Sequence, residues 1–368
     1  MKNCFFILLF LLSAQVGFSA DLQSVDSIVS TADASKPAKK TFWMKVKKIV
    51  RDFSTIDTTY IEPQHYNYAF MMQNTNTFES YRLSSTDGQL ITFSPDPTYR
   101  IGPYFGWRWL FLGYTLDIAH LGGGGSSKQD FTLSLYSNQI GVDLFWRKSG
   151  SDYKLRNVQL ASDINTSALE NEPFGDFRAT VRGLNLYYIT NHRKFSYPAA
   201  YSQSTVQRRS VGSFLLGLGY TWHSLEVDWQ KFNSLVERKL QLTDASNVVD
   251  TTLLFSRVEY TDLSFTAGYT YNWVFARNWL FNISLSTGLA YKHSSSNAEH
   301  SSFSLRNFDF KNFNLDETLR TGIVWNNTKW YAGMSAIFHS YNYRKSQFST
   351  TNTFGNLNFY VGFNFSAK

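Results

Sequence analysis

One stretch near the end of the chain decides the fold: Thr353-Phe354-Gly355-Asn356-Leu357-Asn358-Phe359-Tyr360-Val361-Gly362-Phe363-Asn364-Phe365. From Leu357 onward, alternate positions hold Leu, Phe, Val, Phe and Phe, and the positions between them hold Asn, Tyr, Gly and Asn. Successive side chains of a strand point to opposite faces, so one face is apolar and the other is polar or small. Glycine and asparagine rarely fill a soluble core, whereas they suit a hydrated or crowded barrel interior. The pattern predicts a strand whose apolar face meets lipid.

The end of the chain resembles the closing strand of outer-membrane β-barrels, in which the C-terminal strand ends in an aromatic residue. Here Phe365 is followed by Ser366, Ala367 and Lys368, which is a small departure from that pattern. The resemblance implies an all-β, antiparallel transmembrane barrel surrounded by outer-membrane lipid. It also implies the barrel-assembly machinery as a partner, reached through the C-terminal strand.

The composition is rich in aromatic residues and poor in charge. Aromatic residues make up 17% of the 368 residues and charged residues also make up 17%, whereas about 25% charged is usual in a soluble protein. The mean hydropathy is −0.28, and past the N-terminus no apolar run approaches the ~18 residues of a spanning helix. Two classes remain, a soluble all-β protein and a membrane barrel, whose alternation hides its hydrophobicity from an averaged scale.

The N-terminus has the features of a secretory signal peptide over residues 1–20. Lys2 supplies a positive charge, Phe5 to Leu12 form an apolar run, and Gly17 to Ala20 provide a small-residue exit. The run is too short for a membrane anchor. The only cysteine, Cys4, precedes it, so the mature chain is expected to hold no disulfide although an exported protein could form one.

Residues 21–53 are predicted to form a periplasmic segment ahead of a barrel domain at 54–368. Residues 21–40 are rich in Ser, Asp, Ala and Lys and indicate a disordered linker. Phe42 to Phe53 carries apolar residues at the spacing of one helical face and lysines on the other. We therefore predict a short basic amphipathic helix. It either lies on an anionic membrane surface or periplasmic partner, or packs near the barrel mouth.

The net charge of +7 is concentrated in that segment, because residues 36–51 hold seven Lys and Arg residues and no acid. The barrel domain is close to neutral. A protein that binds nucleic acid would need a basic face on its fold, so nucleic acid is not expected as a partner.

From Tyr66 onward the apolar period is two, as in strands. The alternation is clearest over Phe214 to Trp222 and over Phe265 to Trp273, where Ser, Gly, Thr and Asn occupy the opposite face. A further strand is predicted at 225–230. About 12 strands are expected. The range stays 10–14, because the irregular segment 161–178 could hide a strand or be an inserted loop.

The connections between these strands alternate in length, as short periplasmic turns and long external loops do in outer-membrane barrels. Long connections are predicted near 191–209, 238–252 and 294–312. Tryptophans cluster at the short turns, where their rings suit the headgroup layer. The short turns are predicted at Trp107-Arg108-Trp109, Trp222-His223-Ser224, 275–279 and 325–330.

Several motifs resemble a family known as a domain of unknown function (number 4421). They are Asp57-Thr58-Thr59-Tyr60-Ile61, Ile91-Thr92-Phe93-Ser94-Pro95, Gly102 to Trp109, and Gly113-Tyr114. The resemblance covers about residues 55–365. It implies an exported barrel of a gut-type Gram-negative anaerobe, located in the cell outer membrane, and it brings no known activity or site residues.

Motifs with specific catalytic or metal-binding spacing do not occur: the chain has no G-x-S-x-G, H-E-x-x-H or C-x-x-C. His293 and His300 lie in a Ser-rich loop without further ligands nearby. His339 and Ser340 are neighbours on a strand and therefore point to opposite faces. We predict no enzyme, with catalytic, cofactor-binding and metal sites all absent. A His339 site completed by a serine and an acid from other strands is the enzymatic alternative.

The alternation also predicts mixed charge in the lumen, with five basic and five acidic side chains on that face. Mixed signs favour ion pairs across the lumen, which narrow the passage. We expect a narrow or plugged pore for small solutes or a structural barrel. The alternatives are a barrel whose external loops bind partners and a lipid- or peptide-hydrolysing barrel enzyme. The predicted lumen residues are Arg100, Arg108, Asp117, Asp143, Arg147, Arg182, Glu226, Asp228, Asp316 and Arg320.

Overall fold

The structure is a computed structural model that describes residues 55–107, 110–113, 116–117, 129–161, 164–242, 248–294, 313–344 and 348–367. Residues 57–368 form one compact unit. The predicted signal peptide (1–20), linker (21–40) and basic helix (42–53) lie outside the described residues.

Long antiparallel strands make up most of the described chain. They are β2 (Tyr66–Ser85), β4 (Thr98–Trp107), β5 (Leu110–Gly113), β7 (Gln129–Tyr136), β8 (Ile140–Lys148), β10 (Phe177–Ile189), β12 (Val211–Val227), β13 (Arg257–Ala276), β14 (Trp279–Ser294), β15 (Phe313–Asn326), β16 (Trp330–Arg344) and β17 (Phe348–Ala367). Shorter elements are β1 (Ile61–Pro63), β3 (Leu90–Pro95), β6 (Leu116–Asp117), β9 (Tyr153–Gln159), β11 (Thr205–Gln207), helices α1 (Pro198–Tyr201) and α2 (Trp229–Leu240), and 3₁₀ turns Ser167–Leu169 and Thr251–Leu253.

The twelve long strands form one curled sheet in the order β5-β4-β2-β17-β16-β15-β14-β13-β12-β10-β8-β7. Apart from β5 and β7, the long strands that follow one another along the chain are neighbours, and the first long strand, β2, pairs with the last, β17. That pairing runs from Tyr66 opposite Ala367 to Ser85 opposite Phe348. Pairing of first with last is the closing contact of a barrel, which leaves no exposed strand edge there. The predicted 12-strand antiparallel barrel is therefore confirmed.

The strand β6 continues the ladder of β5 on β4 in the same register. Within the described residues, no hydrogen-bonded pairing joins β5 or β6 to β7. Residues 118–128, which connect them, lie outside the described part.

An exposed apolar belt surrounds the barrel. On β12, Phe214, Leu216, Leu218 and Tyr220 are exposed, while Gly217 and Gly219 face inward. On β17, Phe359 and Val361 are 45% and 54% exposed whereas Asn364 is 3% exposed, as the alternation predicted. The nine residues from Phe214 to Trp222 are separated by eight steps and span about 27 Å along a strand. That length rises about 20 Å across the membrane at a ~40° tilt, close to the height of a barrel's apolar band.

Exposed aromatic side chains mark one end of this belt. Trp273, Phe275 and Trp279 flank the turn at 277–278, and Trp330 follows the turn at 327–329. We call this the short-turn end, and it corresponds to the periplasmic side of an outer-membrane barrel. Among the described helices, none has the length and apolar character needed to cross a membrane.

The predicted turn at Trp222-His223-Ser224 is wrong, because β12 continues unbroken to Val227. Apolar residues face outward up to Trp222, whereas Leu225 and Val227 face inward and are buried. The apolar face changes sides where the strand leaves the membrane, since water then lies outside and an apolar cluster lies inside. The sequence pattern therefore reflects a switch of the apolar residues from the outward to the inward face of one continuous strand, and not a turn.

The predicted strand residues Trp229 and Gln230 belong instead to helix α2. Asp228 caps this helix by accepting a hydrogen bond of 3.1 Å from the backbone N–H of Lys231. Trp229, Phe232, Leu235 and Val236 are buried along one side, which is helical spacing. The helix ends at Gln241 in the left-handed conformation.

The long-loop end, opposite the short turns, is covered by an apolar cap built from β3, β9, α2 and the two 3₁₀ turns. Phe93 stacks on Phe177 with ring centroids 4.5 Å apart, and Phe174 packs on Phe232. Lumen-facing Tyr81 belongs to the same buried cluster. Within the segment 161–178, the described residues up to 176 are an insertion that contributes to the cap, whereas residues 177–178 begin the barrel strand β10.

Replacing Leu285 with Arg should destabilise the barrel by about 2–4 kcal/mol, because this exposed leucine lies midway along the lipid-facing side of β14. Val361→Arg should cost less, about 1 kcal/mol, because Val361 is next to Phe363 at the girdle. Urea unfolding in lipid vesicles, followed by heat-modifiable electrophoresis, measures both. Equal costs would show that the belt is misplaced.

Candidate functional site

Residues 190–210 enter the lumen from the short-turn end, and we call this segment the plug. It connects β10 to β12, whose ends at Ile189 and Val211 lie beside the short turns. The prediction of a long external loop at 191–209 is therefore wrong as to the side of the membrane. Ala199 and Ala200 of α1 are buried in the lumen against Leu280 and Val324.

Polar side chains of the plug bond to lumen-facing residues on several strands. Tyr201 donates a hydrogen bond of 2.5 Å to the amide oxygen of Asn282. Gln203 donates to the Tyr360 hydroxyl at 2.9 Å and accepts from the Asn326 amide at 3.1 Å. Asn282, Asn326 and Tyr360 lie on β14, β15 and β17, which fall within four consecutive strands of the sheet, so these bonds hold the plug against that part of the wall.

A second chain segment holds the plug at the mouth. β1 pairs with β11 of the plug, and Glu62 forms an ion pair with Arg208. Arg208 also donates to Asn278 in a short turn at 2.9 Å. Nearby, hydrogen bonds from Thr59 lower the pKa of Asp57, so its negative charge persists beside the cations of the plug.

The lumen contains buried ion pairs. The ammonium group of Lys292 lies 2.9 Å from carboxylate oxygens of both Asp262 and Asp316. Arg320 pairs with Asp143 on the far wall. Arg147 lies 3.4 Å from Asp130. Burying such charges is costly unless they are paired, so these contacts fix the positions of the strands that carry them.

Four predicted lumen charges, Asp143, Arg147, Asp316 and Arg320, are buried inside as expected. Arg100 is half-buried on the inward face of β4. The side chains of Arg108 and Asp117 lie outside the described residues.

Three predictions of lumen charges are wrong. Arg182 points outward, with its guanidinium over Trp222. Glu226 forms an ion pair with Arg257 on the outer face beyond the belt. Asp228 caps α2. Glu226 and Asp228 follow the point in β12 where the apolar residues switch from the outward to the inward face. Arg182 is separated from Leu184, Leu186 and Tyr188 by even numbers of residues, so the alternation of β10 itself places it on their outward face.

Sequence reasoning missed Asp130, Asp262 and Lys292. On β13, Asp262 and Ser264 are alternate residues that both face inward. On β14, Ala290 and Lys292 are alternate residues that both face inward. If the alternation is continued past the apolar belt, it predicts Asp262 and Lys292 as lumen residues.

His339 faces the lumen, and Ser340 is on the opposite face of β16, so the two do not form a dyad. The Nδ1 atom of His339 lies 3.2 Å from the Thr318 hydroxyl, and the His339 ring packs on Phe354. His293 is described, whereas His300 is not. Within the described residues, no cluster of three or more His, Cys, Asp or Glu side chains could hold a metal ion.

Among the cavities between the described lumen side chains, two are small. One of about 20 Å³ is lined by residues that include Asp143, Arg147 and His339. The other, of about 30 Å³, is lined by residues that include Asp316 and Arg320. A water molecule needs roughly 10–15 Å³ of such space, so each cavity has room for a few waters at most.

The cap carries an exposed ion cluster on its surface. Lys154 and Arg156 each donate to the carboxylate of Asp96 at 2.5 Å and thereby lower the pKa of Asp96. A depressed pKa adds stability above the pKa of the unfolded chain, and that stability is lost as pH falls through the folded pKa. The group is exposed, so the contribution is small.

The belt, the first-to-last strand pairing and the polar lumen define an outer-membrane β-barrel. A model of the family described as "Domain of unknown function (DUF4421)" matches residues 55–365, and the chain belongs to this family. No curated protein matches the sequence.

Solved structures with a similar fold include other outer-membrane proteins. The outer membrane protease OmpT from Escherichia coli is 7% identical with a TM-score of 0.33, over 81% of this chain and 97% of that one. OprG from Pseudomonas aeruginosa is 10% identical with a TM-score of 0.23, over 83% and 99%. The toluene transporter TodX of P. putida is 8% identical with a TM-score of 0.21, over 82% and 91%.

Replacing Lys292 with Met should destabilise the barrel by about 3–5 kcal/mol, because it leaves Asp262 and Asp316 buried without a counter-charge. Lys231→Met breaks an exposed pair with Asp176 on the cap and should leave the free energy of unfolding nearly unchanged. Urea unfolding of both variants in the same vesicles checks this. Similar losses would mean that the lumen pair is hydrated in the folded protein.

Proposed function

We propose that the protein is a closed, non-conducting outer-membrane barrel with a structural or partner-displaying role rather than an open pore. The observation that carries this proposal is the plug, which fills the periplasmic mouth and bonds to the lumen wall through Tyr201 and Gln203. The cap covers the other mouth with a packed apolar cluster. Two closures in series favour a barrel that does not conduct.

The charges of the lumen support the same proposal. A selective pore lines its constriction with one dominant sign of charge, whereas here the acids and bases of the lumen neutralise each other. Twelve strands lie between the ~8 of a filled barrel and the ~16 of an open porin, so strand number alone does not decide. The small cavities favour the filled form.

Display of the cap to an external partner is the second candidate. The apolar cluster beneath the cap continues into the lumen of the barrel, and α2 presents a charged side with Lys231, Arg238 and Lys239. A charged surface held by that packing suits recognition. A non-enzymatic role is part of the proposal, supported by the contact of His339 with a threonine rather than with a serine and an acid.

Planar-bilayer recording tests the proposal. The refolded mature chain should give no conductance steps. Replacing residues 193–207 of the plug, or residues 229–253 of the cap, with a flexible Gly/Ser linker should each leave the barrel closed, and the double replacement should open it. A Gly/Ser insertion in the exposed turn at 86–88, between β2 and β3, is the matched control.

Large conductance from the unaltered chain would overturn the proposal. The same assay tests the prediction that helix 42–53 covers the periplasmic mouth. Conductance that arises only after removal of residues 21–53 would assign the closure to that segment instead of the plug.

A further inference from the structure

An arginine lies between two tryptophans on the outer surface of the barrel. The register places Trp146 of β8, Arg182 of β10 and Trp222 of β12 directly opposite one another across three strands. The guanidinium carbon of Arg182 is 4.8 Å from the ring centroid of Trp222 and 6.0 Å from that of Trp146. Both contacts are of cation–π type and hold the arginine flat against the sheet.

Two further cations extend this outward face. Lys148 lies opposite Thr180, and Arg178 and Arg182 lie two residues to either side of Thr180. All three cations are exposed. Diagonal neighbours on one face of a sheet are about 7–8 Å apart at Cα, so a single anionic group can contact more than one of them.

These cations are free for an external ligand. Among the ion pairs of the described residues, none includes Lys148, Arg178 or Arg182. The carboxylate opposite Arg178 is Glu226, and it pairs with Arg257 at 3.2 Å. The neighbouring Asp176 pairs with Lys231 at 2.6 Å. The local acids are therefore occupied by other partners.

The cluster lies at the depth of lipid headgroups on the external side. Trp222 is the next outward residue after Tyr220, the last exposed member of the belt on β12. Two residues correspond to about 7 Å along the strand. Tryptophan and arginine both favour this layer, because their apolar parts remain in the bilayer while their polar tips reach water.

We propose that Lys148, Arg178 and Arg182, with Trp146 and Trp222, form a binding site for the phosphate group of a phosphorylated glycolipid in the outer leaflet. A guanidinium group offers paired N–H donors that match phosphate oxygens. The acyl chains of the same lipid lie along the belt residues Tyr220 and Leu218. The site recognises a lipid rather than a free anion, because the apolar surface continues directly below the cations.

Binding of a fluorescent diphosphorylated glycolipid to the refolded full chain in neutral detergent micelles tests this proposal. Arg182→Ala and Lys148→Ala should each weaken binding about tenfold, since each removes a charge-assisted contact. Arg182→Lys should recover part of the loss. Arg82→Ala is the matched control, because Arg82 is an exposed arginine on the outward face of β2, and it should change the dissociation constant less than twofold.

Heat-modifiable electrophoresis confirms that each variant folds. Trp222→Leu keeps the face apolar and removes the ring that supports Arg182, so it should also weaken binding several-fold. Three results would overturn the proposal: equal binding of the dephosphorylated glycolipid, an equal loss in Arg82→Ala, or full competition by millimolar inorganic phosphate. The last would identify a site for a free anion.

Discussion

Each spanning strand must meet lipid on one side while all its backbone N–H and C=O groups stay paired. In hydrocarbon no water can satisfy those groups, so the sheet has to curl until its first strand meets its last. The pairing of β2 with β17 over nearly their full length meets this requirement. The apolar belt follows from the same constraint, because only the outward positions of paired strands touch lipid.

The inward face is subject to a different constraint, that of filling space with polar groups. Tyr331 lies opposite Gly362, and Gly333 lies opposite Tyr360. A Cβ at Gly362 would come within 2.5 Å of the Tyr331 hydroxyl, so each glycine makes room for a tyrosine ring on the next strand. The Tyr360 hydroxyl is then in place to accept a hydrogen bond from Gln203 of the plug.

The belt could be predicted from the sequence because alternation is local. The apolar character of residues such as Phe359 and Val361 directly indicates that their own side chains face lipid. The plug could not. Its partners Asn282 and Tyr360 are distant in sequence, so residues 190–210 have the composition of an ordinary polar loop. Loop length also does not tell which side of the membrane a connection occupies. The separate strand predicted at 225–230 was only partly right, because residues 225–227 are the end of β12 whereas helix α2 starts at Trp229. Leu225, Val227 and Trp229 keep a period of two across the strand end and the helix start, so the pattern does not show the boundary.

The lumen charges depend on closure as much as they contribute to it. Lys292, Asp262 and Asp316 attract one another strongly only where water is scarce. In the closed barrel that we propose, the cap and the plug exclude bulk water from the two ends, and the ion pairs in turn hold β13, β14 and β15 in register. A hydrated lumen would screen these attractions and would also hydrate the charges that they now neutralise. On this proposal, the loss of one closure would weaken the ion pairs while the other closure still blocks the lumen, and only the loss of both would leave the lumen charges in open water.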